Sequence, residues 1–112
     1  MVYTNERETG IRTVRIEGVP VSISNQLGGV VIWGRRDYQG KTVTLTGRGG
    51  DTKDVHATFS AYRDKGHITT AAVFSRVKPG DYYTIGRHAG IDSIGWTDVS
   101  VSTQWVQQID WR

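Results

Sequence analysis

Three histidines, His56, His67 and His88, are the residues best suited by type to hold a metal or move a proton, since neutral imidazole is the commonest transition-metal ligand. Their spacings of 11 and 21 residues match no local metal-binding motif. His56 and His67 flank a hairpin turned by Asp64-Lys65-Gly66, with His67 beside the turn and His56 several residues down the strand. A shared ion would need a third ligand from elsewhere, so exposed strand histidines are the simpler expectation. There is no cysteine, which removes thiolate metal sites, disulfides and a cysteine nucleophile together. No Gly-x-Ser-x-Gly elbow occurs, and the nearest string, Ile91-Asp92-Ser93-Ile94-Gly95, lacks the first glycine. The aspartates fall mostly at turns and strand ends, where they satisfy local backbone donors.

Two basic features invite an anion. The loop Gly47-Arg48-Gly49-Gly50-Asp51-Thr52-Lys53 carries glycines that let backbone N–H groups converge, but it is not a phosphate-binding loop of the Gly-x-x-x-x-Gly-Lys type, and no helix follows. Tandem Arg35-Arg36, followed by Asp37-Tyr38, has the donors to grip an acidic partner. The aromatics are the fuller clue. Trp33, Trp96, Trp105 and Trp111, with Tyr38, Tyr62 and Tyr83, exceed what one small core needs. Such rings on a rigid sheet supply contact area at low entropic cost. Trp33 and Trp105 are expected in the core and Trp111 at an open end. That leaves Arg35, Arg36, Tyr38, Tyr62, Tyr83 and Trp96 as the candidate contact residues.

The elements that must position these residues read as strands. Fourteen glycines are spread through 112 residues, and each would cost a helix interior about 1 kcal/mol relative to alanine. Residues 13–24 alternate as one strand, with Pro20 confining it to an edge or a bend. Val30-Val31-Ile32-Trp33 is continuously apolar, as in a strand covered on both faces. Residues 41–46 alternate, and then Val55, Ala57, Phe59 and Ala61 share one face while His56, Thr58, Ser60 and Tyr62 share the other. Ile68 to Val77 runs into the Lys78-Pro79-Gly80-Asp81 turn, and Tyr82 to Ile85 restarts directly. Val99, Val101, Thr103, Trp105, Gln107, Ile109 and Trp111 fall on one face, which predicts one long strand or two joined at a bulge. Residues 86–97 lack periodicity and read as a connection.

The spacing predicts an all-β, single-domain, two-sheet sandwich of about seven strands over residues 13–112, with residues 1–12 as a flexible tail. The net charge of +3 is dispersed and mainly favours solubility, which argues against nucleic acid. Neither a signal peptide nor a membrane-length apolar run is present, so a soluble, cytoplasmic protein is expected.

The segment Ala72-Val73-Phe74-Ser75-Arg76-Val77-Lys78-Pro79-Gly80-Asp81-Tyr82-Tyr83-Thr84-Ile85 resembles the closing hairpin of prealbumin-like or carboxypeptidase-regulatory-like β-sandwich modules. The resemblance implies an immunoglobulin- or prealbumin-like sandwich in which Phe74 and Val77 enter the core and Tyr82 packs back across the corner made by Gly80. The order of a Gly-Val-Val-Ile strand, an Ala-Val-Phe strand, a Pro-Gly-Asp-Tyr turn and a terminal Ile109-Asp110-Trp111-Arg112 is similar, more loosely, to small stand-alone actinobacterial proteins of unassigned role. From the residues themselves, the leading expectation is a non-enzymatic interaction or assembly protein without cofactors. It would bind a protein partner or a second copy through an aromatic face or an edge strand, such as the Val19-Pro20 strand or the terminal strand. A carbohydrate-binding module built on Tyr62, Tyr83 and Trp96 is the alternative, and a small metal-dependent hydrolase using the histidines is the third.

Overall fold

The computed structural model describes residues 10–49, 53–86 and 97–112. They form ten strands: β1 (Arg12–Ile16), β2 (Val19–Ile23), β3 (Gly28–Gly34), β4 (Thr42–Gly47), β5 (Val55–Thr58), β6 (Ser60–Asp64), β7 (His67–Val77), β8 (Gly80–Gly86), β9 (Thr97–Val101) and β10 (Val106–Asp110). A sheet in the order β10-β3-β7-β6 packs on a second in the order β5-β4-β8-β9, and the β1-β2 hairpin lies on the far face of the first. The all-β sandwich expected from the spacing is therefore present, with more strands than the periodicity alone separates.

The added hairpin explains the apolar run in β3. Val30 and Ile32 enter the core between the sheets with Val43, Leu45, Phe59, Phe74 and Tyr82. Val31 and Trp33 point the other way, into a second core with Val19, Val21, Ile23 and Ala71. Full burial of each such side chain contributes about 1.5–3 kcal/mol, so a strand apolar on both faces is stable only between two layers. Gly29 allows the close approach, because a Cβ there would lie 2.6 Å from Val21 Cγ1.

Residues 13–24 are not one strand but two, folded at Glu17-Gly18, whose φ angles of 50° and 81° are both positive. That pair matches the right-handed twist of a two-residue hairpin. Lys65-Gly66, at 51° and 85°, does the same between β6 and β7. The strand holding Pro20 lies at an edge as expected, since among the described residues β2 pairs only with β1.

Two further segments are split by the chain crossing from sheet to sheet. Between β5 and β6 it changes sheets at Phe59, and between β9 and β10 it changes at residues 102–105. The two-residue period survives both crossings because the inner faces of a sandwich face each other. Val99, Val101, Ile109 and Trp111 all point inward, although they lie in different sheets. Trp105 falls in the crossover itself and is 62% exposed, against the expectation that it is core.

The corner at Lys78-Pro79-Gly80 also joins different sheets, so it is an arch rather than a hairpin. Phe74 and Val77 are both buried despite their odd separation, because β7 bulges between them, with Arg76 at φ 53° and a register shift opposite Gly28 and Val30. Tyr82 closes the corner: its hydroxyl donates to the Lys78 carbonyl at 2.7 Å. Replacing Tyr82 with Phe removes that donor and leaves the ring, so chemical denaturation is expected to show a loss of about 0.5–1.5 kcal/mol at an unchanged slope. A changed slope would mean that the tyrosine acts through the unfolded chain instead.

Candidate functional site

The structure disperses the residues that the sequence offers as a single contact surface. Tyr38 is 3% exposed and belongs to the inner core, its ring tilted against Phe59 at a centroid distance of 5.4 Å. The turn Arg36–Tyr38 folds it inward, so it is a structural residue and not a contact. Arg35 lies over that ring at 4.9 Å and pairs with Asp37 at 3.5 Å. Tyr62 is half-buried against the second core, and burial pushes its phenol pKa up. Tyr83 stands on the outer face of the opposite sheet, where Arg48 covers it at 5.0 Å and also pairs with Asp98. Tyr62 and Tyr83 therefore form no joint stacking platform. Trp96 and His88 lie outside the described residues.

The histidines are likewise separated. His56 on β5 and His67 at the start of β7 belong to different sheets, so they do not flank one hairpin. His56 Nδ1 is 2.9 Å from Thr44 Oγ1, a local pairing on the outer sheet face. Among the described residues no group of three or more histidine, aspartate or glutamate side chains converges. Ser75 and Lys78 do stand at Ser-x-x-Lys spacing, but Ser75 Oγ is taken up accepting the Ser22 amide at 2.9 Å across to the hairpin. In the glycine loop, the Arg48 N–H donates to the Asp81 carbonyl at 2.9 Å, so that backbone donor is used within the fold, and residues 50–52 lie outside the described residues.

What the fold assembles instead is an apolar groove of about 260 Å³ between β1 and β10. Val14 and Ile16 of β1 form one wall, Val106 and Gln108 of β10 the other, and Trp105 stands at the mouth. Among the described residues Arg12 is the one charged side chain lining it. Both walls are sheet edges, because among the described residues β1 pairs only with β2 and β10 only with β3. In β10 the outward edge is legible from the ladder. The Trp105 carbonyl accepts from Gly29 and the Trp111 N–H donates to Trp33, so alternation turns the backbone groups of Val106, Gln108 and Asp110 away from β3.

The groove is held from beneath. Gln104, at φ 59°, donates its N–H to the Leu27 carbonyl, which pins the crossover that presents Trp105. Trp33 Nε1 donates to Gln108 Oε1 at 3.0 Å and fixes the strand's face. At the far end Arg112 forks onto Asp110, with Nε–Oδ1 at 3.0 Å and Nη2–Oδ2 at 3.1 Å. These bonds hold the Asp110 carboxyl below its ordinary pKa, so the pairing helps above the carboxylate range and fades as pH falls through the lowered value. The one sequence sign of this site was the polar run Ser102-Thr103-Gln104 interrupting the strand. Two-residue parity assigned Trp105 to the core regardless.

No protein-family model, curated protein or solved structure matches the chain. No helix among the described residues is long and apolar enough to cross a membrane.

Proposed function

We propose that this protein is a non-enzymatic assembly protein that pairs with a second copy of itself through the free edge of β10. The observation that carries this reading is the exposure of Trp105 at the mouth of an apolar groove flanked by two strand edges that pair with no other described residues. Natural edges are usually blunted by lysine, proline or inward charge. β10, Val-Gln-Gln-Ile-Asp, carries no such device before Asp110, whereas the opposite edge, β6, carries Arg63 and Asp64. Edge-to-edge pairing about a two-fold axis is self-complementary, so one unprotected edge supplies both halves of the contact. Main-chain hydrogen bonds would extend the sheet, and Trp105 with Val106 would supply the buried anchor.

Sedimentation equilibrium of the full chain is expected to show a concentration-dependent dimer. Trp105→Ala should weaken it by about 2 kcal/mol or more, roughly thirtyfold or beyond. Its melting temperature under monomeric conditions should change little, because Trp105 is already mostly exposed. Val14→Lys, which places a charge in the groove wall, should act in the same direction. A parent protein that stays monomeric at every concentration would sink the proposal.

A further inference from the structure

The end of the sheet remote from Trp105 opens where β3 leaves into the Arg36–Tyr38 turn. A pocket of about 230 Å³ lies there, lined by Gly34, Arg36, Ile68, Thr69, Thr70 and Arg112. Among the described residues no carboxylate lines it.

The donors in this pocket are only partly used. The arginines nearest in sequence or space have partners: Arg35 has Asp37 and the Tyr38 ring, and Arg112 has Asp110 and, at 5.8 Å, the Trp33 ring. The Arg36 guanidinium has none among the described residues, and it brings five N–H donors. Arg112 spends Nε and one Nη2 hydrogen on Asp110, which leaves its remaining donors on an already oriented side chain. Thr70 is buried and its Oγ1 accepts from Gln39 Nε2 at 3.2 Å, so its own hydrogen is free to donate. The opposing charges are Asp110, neutralised by Arg112, and Glu17, which acts on Arg112. Ile68, 54% exposed, adds an apolar wall.

We infer that this pocket binds an oxyanion, phosphate or carboxylate, carried on a small apolar body. Arg36, Arg112 and Thr70 all line it, which brings two guanidinium groups and a hydroxyl to one pocket, the donor types that recognise such groups. The volume exceeds that of a bare inorganic anion, and Ile68 gives the attached group something to pack on. This site is separate from the Trp105 groove and stands whether or not the protein dimerises.

The test is a proton–nitrogen NMR titration of the full chain at low salt with inorganic phosphate, phenyl phosphate and phenylacetate. Saturable shifts are expected at the Gly34, Thr69 and Thr70 amides, with phenyl phosphate binding more tightly than inorganic phosphate. Saturation by only the phosphate or only the carboxylate probes supports the site and identifies its source of anion. Arg36→Ala should weaken binding by about tenfold or more, and Arg36→Lys should recover part of it, since lysine keeps the charge and loses the planar fork. Arg76→Ala, an exposed arginine at the other end of β7, should leave binding unchanged. The inference is overturned if none of the three probes saturates, or if Arg36→Ala, with its remaining spectrum intact, binds as tightly as the parent.

Discussion

Phe59→Ala is expected to cost about 3–5 kcal/mol, enough to lower the melting temperature by roughly 12–20 °C. Phe59 is buried between β5 and β6, at the point where the chain passes from one sheet to the other. Its backbone is tied on both sides: its N–H donates to the Lys41 carbonyl, and its own carbonyl accepts from Gly40, both at 2.9 Å. The ring therefore has one place to go. It meets Tyr38 at 5.4 Å and Trp111 at 6.4 Å, so removal leaves a cavity and two rings without a neighbour. Gly34 belongs to the same arrangement, since a Cβ there would sit 2.6 Å from Phe59 Cε1. Truncation should also admit water beside Trp111 and shift its fluorescence to the red. Phe59→Leu should cost much less, because most of the volume stays. A loss below about 1 kcal/mol for the alanine variant would show that the sheets do not close over this ring.

The second large effect is expected at Gly28, through an added atom instead of a lost one. A Cβ on Gly28 would lie 2.1 Å from the Ser102 carbonyl oxygen and 3.0 Å from that of Trp105. Both contacts are main chain of the β9–β10 crossover, which cannot rotate away as a side chain does. Overpacking typically costs about 1–3 kcal/mol and more where backbone must move, so Gly28→Ala should reach or pass the top of that range. The damage should be local in a telling way. Gly29 donates its N–H to the Trp105 carbonyl at 2.9 Å and Gln104 donates to Leu27, so displacing the crossover loosens the start of β10 first. Hydrogen exchange should quicken in β10 before β4 or β8, and the proposed pairing through β10 should be lost with it. Uniform protection in a fully stable Gly28→Ala protein would contradict this geometry.

Much of the architecture was written in local pattern. Glycine spacing and alternation sufficed for an all-β chain, and the unbroken apolar run 30–33 sufficed for a strand covered on both sides. Phe74, Val77 and Tyr82 take the core and corner positions that the resemblance implied, although the corner joins two sheets and is not a hairpin. The candidate site was less legible. Tyr38 looked like a contact residue because the turn that buries it carries two arginines and an aspartate. Trp105 looked like core because it keeps the parity of Val101 and Ile109.

Chain composition and two-residue periodicity by themselves determined that this protein is built of strands and which side chains on each strand point inward. Only the tertiary structure decided which sheet each strand joins, that a hairpin caps the outer face, and that Trp105, Arg36 and Arg112 come to line surface sites. The physical reason is that alternation records inside against outside and nothing more. A chain that crosses between facing sheets keeps its parity, so the two-residue period cannot tell a residue exposed in the crossing from one buried in a strand.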